Sequence, residues 1–540
     1  MDQKQRIKTT DARTKPTLAK GMGIVRGVGF CYRESHDRRW LPVALLTLVL
    51  GAKVQAGPRE HLLAQANIQR FQALRRQSDN TPPIRVLIYG QSITGQPWSR
   101  LAVQQTADQS PKRGWVIENR SIGGVTAEYL VRTAEADLYP FNPDLVIFHA
   151  YGDTNAYVQL IREVRTRTTA EVILVNDHYA NWDRELFPQL GEWNGNALPA
   201  LAKSEQVCIA DVRTRWRQVL LERGLPISAL LQDHVHPNAD GQAVLGDVLK
   251  SHLTGPASIP LQDPYSNPRV RRIFRVGAPD ARLEWRVQFQ GNRIVGRIPP
   301  GAEASVLIDG LPPGSSLAGR VHGRAPTWPG SFGPFVVRIG HQVPLLDEVW
   351  TLRIDRSSPQ ERGFNFTVHG SRTGDDGSGH TGTPFRSNSG RVLLDPQDWY
   401  WAALLQPLAE GTLLRWQTVG TGVDRVTNPR TAVADTWVDL ASNLPLGIHE
   451  LVLTAPDGTL PITELIAYDP TSRTTRTGST VYLLANPEGM VLDSDSALEM
   501  SPDLMNGSAI GGDDSGQTPF WVPSTNVTSL FFRAKPAARR

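Results

Sequence analysis

The chain has 540 residues, of which 40% are hydrophobic and 20% charged, a composition that excludes a disordered or fibrous protein. That length exceeds what one hydrophobic core serves and implies roughly three or four folded units. Two cysteines, Cys31 and Cys208, exclude a disulfide-built scaffold and a Cys-based zinc site, while a formal net charge of +4 hints at an acidic partner such as nucleic acid or a membrane surface.

The N-terminus accounts for that charge. Residues 1–40 are polar and basic, and an uncharged apolar run follows from Leu41 to Ala52. Arg38 and Arg39 precede the run, and Val54-Gln55-Ala56 supplies a small-x-small cleavage signature after it. Together these predict a secretory signal peptide or leader over 1–56, ending near Ala56. The run is shorter than the roughly 20 residues a spanning helix needs. An uncleaved membrane anchor formed by residues 41–52 is the alternative, and a start at Met22 would give a leader of more ordinary length. Cleavage after Ala56 would take Lys+Arg from 57 to 46 and Asp+Glu from 53 to 49, leaving a net charge of about −3. The hint of a nucleic-acid partner leaves with the leader, as does Cys31. The expected mature form is secreted or periplasmic, with no stable membrane span.

Residues 57–80 form a lead-in to an α/β region over 81–255. Five short runs rich in Val, Ile and Leu recur there: Ile84–Tyr89, Trp115–Glu118, Leu145–His149, Glu171–Val175 and Val207–Ala210. Each precedes a helix-like stretch, most clearly Ala156–Arg167, Arg213–Arg223 and Ala239–Leu253. Strand-then-helix repetition predicts a parallel sheet covered on both faces, with ligands outside the carboxyl ends of the strands. After Pro256 helix periodicity gives way to short β-rich pieces between Gly/Pro turns, among them Val306–Ile308, Phe335–Ile339, Trp350–Ile354, Phe364–Val368 and Arg391–Leu394. These predict two β-sandwich-like units, 256–380 and 381–480, divided within Ser371–Gly390, and an irregular segment over 481–540 that frays at Pro536–Arg540.

Three strand ends and one later turn carry unusual residues. The first strand runs into Gly90-Gln91-Ser92-Ile93-Thr94, a Gly-flanked serine at the sheet edge that departs from the Gly-x-Ser-x-Gly elbow at Thr94. The second ends in Asn119-Arg120-Ser121-Ile122-Gly123-Gly124, a turn into a helix whose backbone N–H groups are ready anion donors. The third ends in His149-Ala150-Tyr151-Gly152-Asp153-Thr154-Asn155. Before the last helix stands Asp233-His234-Val235-His236-Pro237. There the carboxylate can accept from one imidazole nitrogen of His236 while the other nitrogen takes a serine proton.

These four blocks, in this order, resemble the SGNH (GDSL-type) hydrolase superfamily over roughly Ile84 to Leu253. The resemblance implies a flavodoxin-like parallel sheet followed here by β-sandwich-like accessory domains. It implies Ser92 as nucleophile, His236 as general base, Asp233 as the residue that orients it, and Gly124 as a backbone oxyanion donor. Gln91 replaces the Asp of the usual Gly-Asp-Ser. The third block reads Gly152-Asp153-Thr154-Asn155 where the family has Gly-x-Asn-Asp, so Asn155, the expected side-chain oxyanion donor, falls one residue late. Gln91, Gly152, Asp153 and His178 are candidate substrate contacts.

The remaining polar residues have plainer expectations. His234 has the wrong offset from Asp233 and reads as a loop residue. His149 ends an apolar strand, where it either satisfies a core hydrogen bond or lines the site. Asp177-His178 reads as a loop turn or as a contact to the same crevice. Cys208 in its apolar strand reads as a core residue. Gly374-Asp375-Asp376-Gly377 and Gly512-Asp513-Asp514 lack the ligand pattern of an EF-hand and read as solvated turns. The aromatics of Asp398-Trp399-Tyr400-Trp401 are packing residues or a sugar platform. The expected function is a secreted serine esterase removing short acyl groups, chiefly acetyl, from a small-molecule or polysaccharide ester, with no metal and no cofactor. The alternatives are a non-catalytic carbohydrate-binding or surface protein with a relic hydrolase domain, a polysaccharide O-acyltransferase, and a lysophospholipase or lipase of the same fold.

Overall fold

The computed structural model describes residues 66–77, 81–110, 114–181, 183, 193–255, 263–275, 284–327, 332–358, 363–400, 409–456 and 460–471, together with backbone strands between 474 and 535. The expected leader at 1–56, Trp401, Gly512-Asp513-Asp514 and the Pro536–Arg540 end lie outside the described residues. Among the described residues no helix is long and apolar enough to cross a membrane.

Five parallel strands form the first sheet: β1 (Ile84–Gly90), β2 (Trp115–Asn119), β3 (Leu145–His149), β4 (Glu171–Val175) and β5 (Cys208–Ala210). Their order is β2-β1-β3-β4-β5, the flavodoxin-like arrangement in which the chain reverses direction across the sheet between β1 and β3. The inner strands read as continuous apolar runs because both faces are covered, and every residue of β3 is buried. In the lead-in, α1 (Gln69–Arg75) buries Phe71 and Leu74. Crossovers run through α2 (Ser92–Gly95), α3 (Pro97–Asp108), α4 (Ala127–Asp137), α5 (Thr154–Arg167) and α6 (Leu198–Ser204), and α7 (Val212–Arg223) and α8 (Ala239–Thr254) follow β5. Asp153, Asp211 and Asn238 cap α5, α7 and α8 through their side-chain oxygens.

The C-terminal region is antiparallel and β-rich, but its pairing does not follow the expected division near residue 380. One sheet joins Glu284–Gly291, Glu303–Ile308, Arg425–Thr427 and Gly447–Thr454; a facing sheet joins Ser266–Asn267, Val270–Phe274, Arg293–Ile298, Thr436–Ala441 and Glu464–Tyr468. Phe289, Ile294, Val306, Leu440, Leu453 and Leu465 from both sheets meet in one core. Between the halves of this sandwich the chain inserts another sheet, of Arg320–His322, Val349–Ser358, Gly363–Gly370, Gly374–His380 and Leu413–Gly420. Local composition cannot disclose such an insertion, because the pairing that defines it is nonlocal. The inserted sheet shares a hydrophobic core with α4, α5 and one face of the parallel sheet through Phe335, Trp350, Trp399 and Trp416. The sandwich reaches the opposite face through Val270, Val295, Ile466 and Tyr468.

Three local expectations differ from the structure. Phe335–Ile339 is no ladder strand; Phe335, Val336 and Val337 are buried in succession, and only isolated bridges such as Val336 to Trp399 form. Gly374–Gly377 is no solvated turn; it opens an edge strand, with Asp376 buried and accepting from the Ser389 backbone and hydroxyl at 2.7 Å each. The segment over 481–540 is not simply irregular. Ser479–Asn486, Gly489–Asp493 and Phe520–Pro523 pair in one antiparallel sheet, and Ala497–Ser501 pairs with Ser508–Ile510 and Phe531–Lys535 in another.

Candidate active site

The carboxyl ends of β1, β2 and β3 converge with the turn before α8. β1 ends at Gly90, where a Cβ would lie 2.0 Å from the His149 carbonyl, so the close approach of β3 requires glycine. Gln91 then caps α2, with Oε1 accepting from the Ile93 N–H at 3.4 Å, and Ser92 opens the helix. The block from β2 is laced to this helix. Asn119 Nδ2 donates to the Thr94 carbonyl at 2.8 Å, and the Ser121 hydroxyl bonds Thr94 Oγ1 at 3.0 Å. Thr94, the departure from the nucleophile elbow, thus ties the first two blocks together. Gly124 follows in a left-handed conformation with φ +70°, which favours glycine. Among the described residues neither the Ser92 nor the Gly124 amide has a hydrogen-bond partner.

The turn from Leu231 to Asn238 is closed by a bridge between Leu231 and Pro237 and by the Gln232 N–H donating to the His236 carbonyl at 2.9 Å. Within it, Asp233 Oδ1 accepts from the Val235 N–H at 2.8 Å and the His236 N–H at 2.7 Å. Asp233 Oδ2 meets His236 Nδ1 at 2.8 Å, and His236 Nε2 meets Ser92 Oγ at 2.9 Å. The backbone N–H of His236, then that of Val235, then the imidazole itself hold the Asp233 carboxyl down to about 2. The carboxylate is therefore ionised at neutral pH and fixes the tautomer, with Nδ1–H donating to it and Nε2 free to take a proton.

Ser92 has a second neighbour. Its hydroxyl lies 2.8 Å from Gln91 Oε1, whose Nε2 is 3.0 Å from His149 Nδ1. His149 Nε2 meets Asp177 Oδ1 at 2.8 Å, and Asn194 donates to Asp177 Oδ2 at 3.1 Å. Burial pushes the Asp177 carboxyl up, but the hydrogen bond and charge of His149 outweigh it and leave its pKa lowered. This chain, buried at Gln91 and His149 and half-buried at Asp177, takes the hydrogen-bonding reading of His149 and carries it to the serine. Spacing alone did not signal it, because Gln91, His149, Asp177 and Asn194 come from four segments.

The other expected contacts have different tasks. His178 is buried, with Nε2 2.6 Å from the Val235 carbonyl, so it holds the Asp233–His236 turn. Burial first, against the pull of that carbonyl, holds its pKa down at about 4. Asp153 caps α5, and Gly152, at φ +113°, packs where a Cβ would meet Glu128 and Thr126. Asn155 lines a depression along the outer face of α5 with Val158, Gln159, Arg162, Glu163 and Thr166. Cys208 is buried, and burial pushes its thiol up to about 12, so it is no nucleophile. Among the described residues no cluster of His, Cys, Asp and Glu is arranged to hold a metal ion.

The sheet order and the serine turn at its carboxyl edge decide the architecture. Over its parallel sheet the chain has a flavodoxin-like fold, with the serine turn at the carboxyl edge. Solved structures similar to it include Axe2, an acetylxylan esterase from Geobacillus stearothermophilus, at 19% identity over 33% of this chain and 97% of that one, with a TM-score of 0.29. A two-domain esterase active on acetylated mannans is similar at 13% identity over 75% of this chain and 98% of that one, with a TM-score of 0.30. No family model and no curated protein matches the chain.

Proposed function

We propose that the chain is a serine esterase that hydrolyses short acyl esters, chiefly acetyl, on carbohydrate. The observation that carries the reading is the unbroken series Asp233–His236–Ser92, with links of 2.8 and 2.9 Å, beside the unbonded amides of Ser92 and Gly124. In the proposed reaction His236 Nε2 takes the Ser92 proton as Oγ bonds the ester carbonyl carbon. The resulting oxyanion accepts from the Ser92 and Gly124 N–H groups. Collapse breaks the ester C–O bond, and His236 returns its proton to the departing sugar hydroxyl. Water then attacks the acyl-enzyme, giving its proton to His236, and the acid leaves as Ser92 regains its hydrogen. Every group required is a side chain or amide of this chain. Export through the leader expected at 1–56 belongs to the same reading.

The test is acetate release from 4-nitrophenyl acetate and from acetylated xylan and mannan, the latter two taken from the substrates named for the similar structures. Ser92→Ala should lower the rate by at least about 10⁴-fold and abolish labelling by a fluorophosphonate probe. An unchanged rate in that variant removes the assignment.

A further inference from the structure

The inserted β-unit places an aromatic side chain beside the candidate oxyanion amide. Phe332 is 78% exposed, although its ring rests on the Gly123–Gly124 turn: a Cβ built on Gly123 would lie 3.6 Å from the Phe332 side chain, and one on Gly124 3.9 Å from it. The next residue, Gly333, packs on Tyr400, whose ring meets that of Tyr129 edge-on at 5.2 Å between centroids. Tyr151, from the loop after β3, is 44% exposed. Its phenol is raised first by partial burial and then by the neighbouring Tyr400. The Tyr151 carbonyl accepts from the Ala127 N–H at 2.8 Å, which fixes this loop to the start of α4, three residues beyond Gly124. Phe332 and Tyr151 thus flank the segment from Gly124 to Ala127.

Ion pairs tie the inserted unit to α4. The Arg324 guanidinium of the inserted unit grips the buried Asp137 carboxylate of α4 through bonds of 2.7 Å from Nε and from Nη2. Arg132 of α4 bonds Asp398 of the inserted unit at 2.5 Å. An exposed phenylalanine alone means little, since single apolar residues are common on surfaces. Here the ring stands on the glycine whose amide faces the developing oxyanion. An apolar ring face beside that glycine can cover the C–H face of a sugar whose acyl carbonyl is held at Ser92 and Gly124.

We infer that Phe332, with Tyr151, forms the wall that seats the sugar ring bearing the scissile acyl group, so that the inserted β-unit supplies part of the active site. The inference rests on the esterase reading above and gives it a specificity residue. A small aryl acetate has no sugar to seat and needs the wall less.

The experiment compares Phe332→Ala and Phe332→Trp with the full-length wild type on acetylated xylo- and manno-oligosaccharides and on 4-nitrophenyl acetate. Phe332→Ala should lower kcat/KM on the oligosaccharides by about fivefold to tenfold, mainly through KM, and lower it on 4-nitrophenyl acetate by a smaller factor. Phe332→Trp should retain oligosaccharide activity. An equal fall on both substrates would assign Phe332 a structural role, and no change on the oligosaccharides would remove it from the site; either overturns the inference. Fluorophosphonate labelling separates this failure from that of the parent reading. A wild type that is not labelled overturns the esterase, whereas a labelled wild type that turns over oligosaccharides no better than Phe332→Ala overturns only the wall.

Discussion

Two imidazole–carboxylate pairs reach the same serine, one directly and one through a carboxamide, and the burial of their imidazoles separates them. In the turn before α8, the side chains of His236 and Asp233 are 30% and 47% exposed, and His236 touches Ser92 directly. At the end of β3, the side chain of His149 is 2% exposed and reaches Ser92 only through the Gln91 carboxamide. The serine hydroxyl has one proton and two acceptors, His236 Nε2 and Gln91 Oε1. The exposed pair has room for a substrate and a changing charge. The enclosed His149 ring, engaged at both nitrogens, holds a fixed pattern of hydrogen bonds and positions Gln91 beside Ser92.

The largest effect that tests this contrast is on the exposed side. Asp233→Ala should lower kcat by about 10⁴-fold with KM little changed, because the imidazole loses its tautomer and its orientation. A loss under about tenfold would remove Asp233 from the chain. On the buried side, Gln91→Ala should cost about ten- to a hundredfold in kcat, with fluorophosphonate labelling slowed in parallel, because Ser92 is then positioned by one partner alone. An effect as large as that of Asp233→Ala would make the two pairs equivalent and break the comparison.

The smallest effect is on stability. His178, beneath the turn, is held at about 4 against the free-imidazole 6.5, so it stays neutral in the folded chain while the unfolded chain takes a proton first. Its contribution is present above pH 6.5 and is lost as pH falls from 6.5 towards 4. Urea unfolding at pH 7 and pH 4.5 should show a decline steeper by about 2 kcal/mol in the wild type than in His178→Asn, which has no titrating ring. Parallel declines would show that the ring is not held neutral.

The sequence disclosed these regions unequally, for physical reasons. Runs such as Leu145–His149 and Glu171–Val175 are legible because a strand covered on both faces must be apolar throughout. Asp233 and His236 are legible because a carboxylate three residues from an imidazole bonds it within a single turn, whatever the rest of the chain does. Asn155, one residue late in its block, stands exposed in the first turn of α5, beyond what spacing alone could place. Gln91–His149–Asp177–Asn194 and the Phe332 wall were not legible, since each joins segments whose adjacency exists only after folding. The same holds for the accessory region. Its strands could be recognised, but the pairing of Glu303–Ile308 with Gly447–Thr454 across an intervening sheet could not.

That interrupted sandwich also bears on how the chain acquires its shape. Ser305 donates to the Thr454 carbonyl although the two are 149 positions apart, so the ladder closes a very long loop. Such closure is entropically expensive while the intervening residues are extended, and it slows the search for the correct partner. An inserted sheet that collapses first onto its own tryptophans draws the two halves together and shortens the effective loop. Trp350 and Trp416, stacked at 6.4 Å between centroids inside that sheet, therefore sit where an early fluorescence change would precede completion of the sandwich around them.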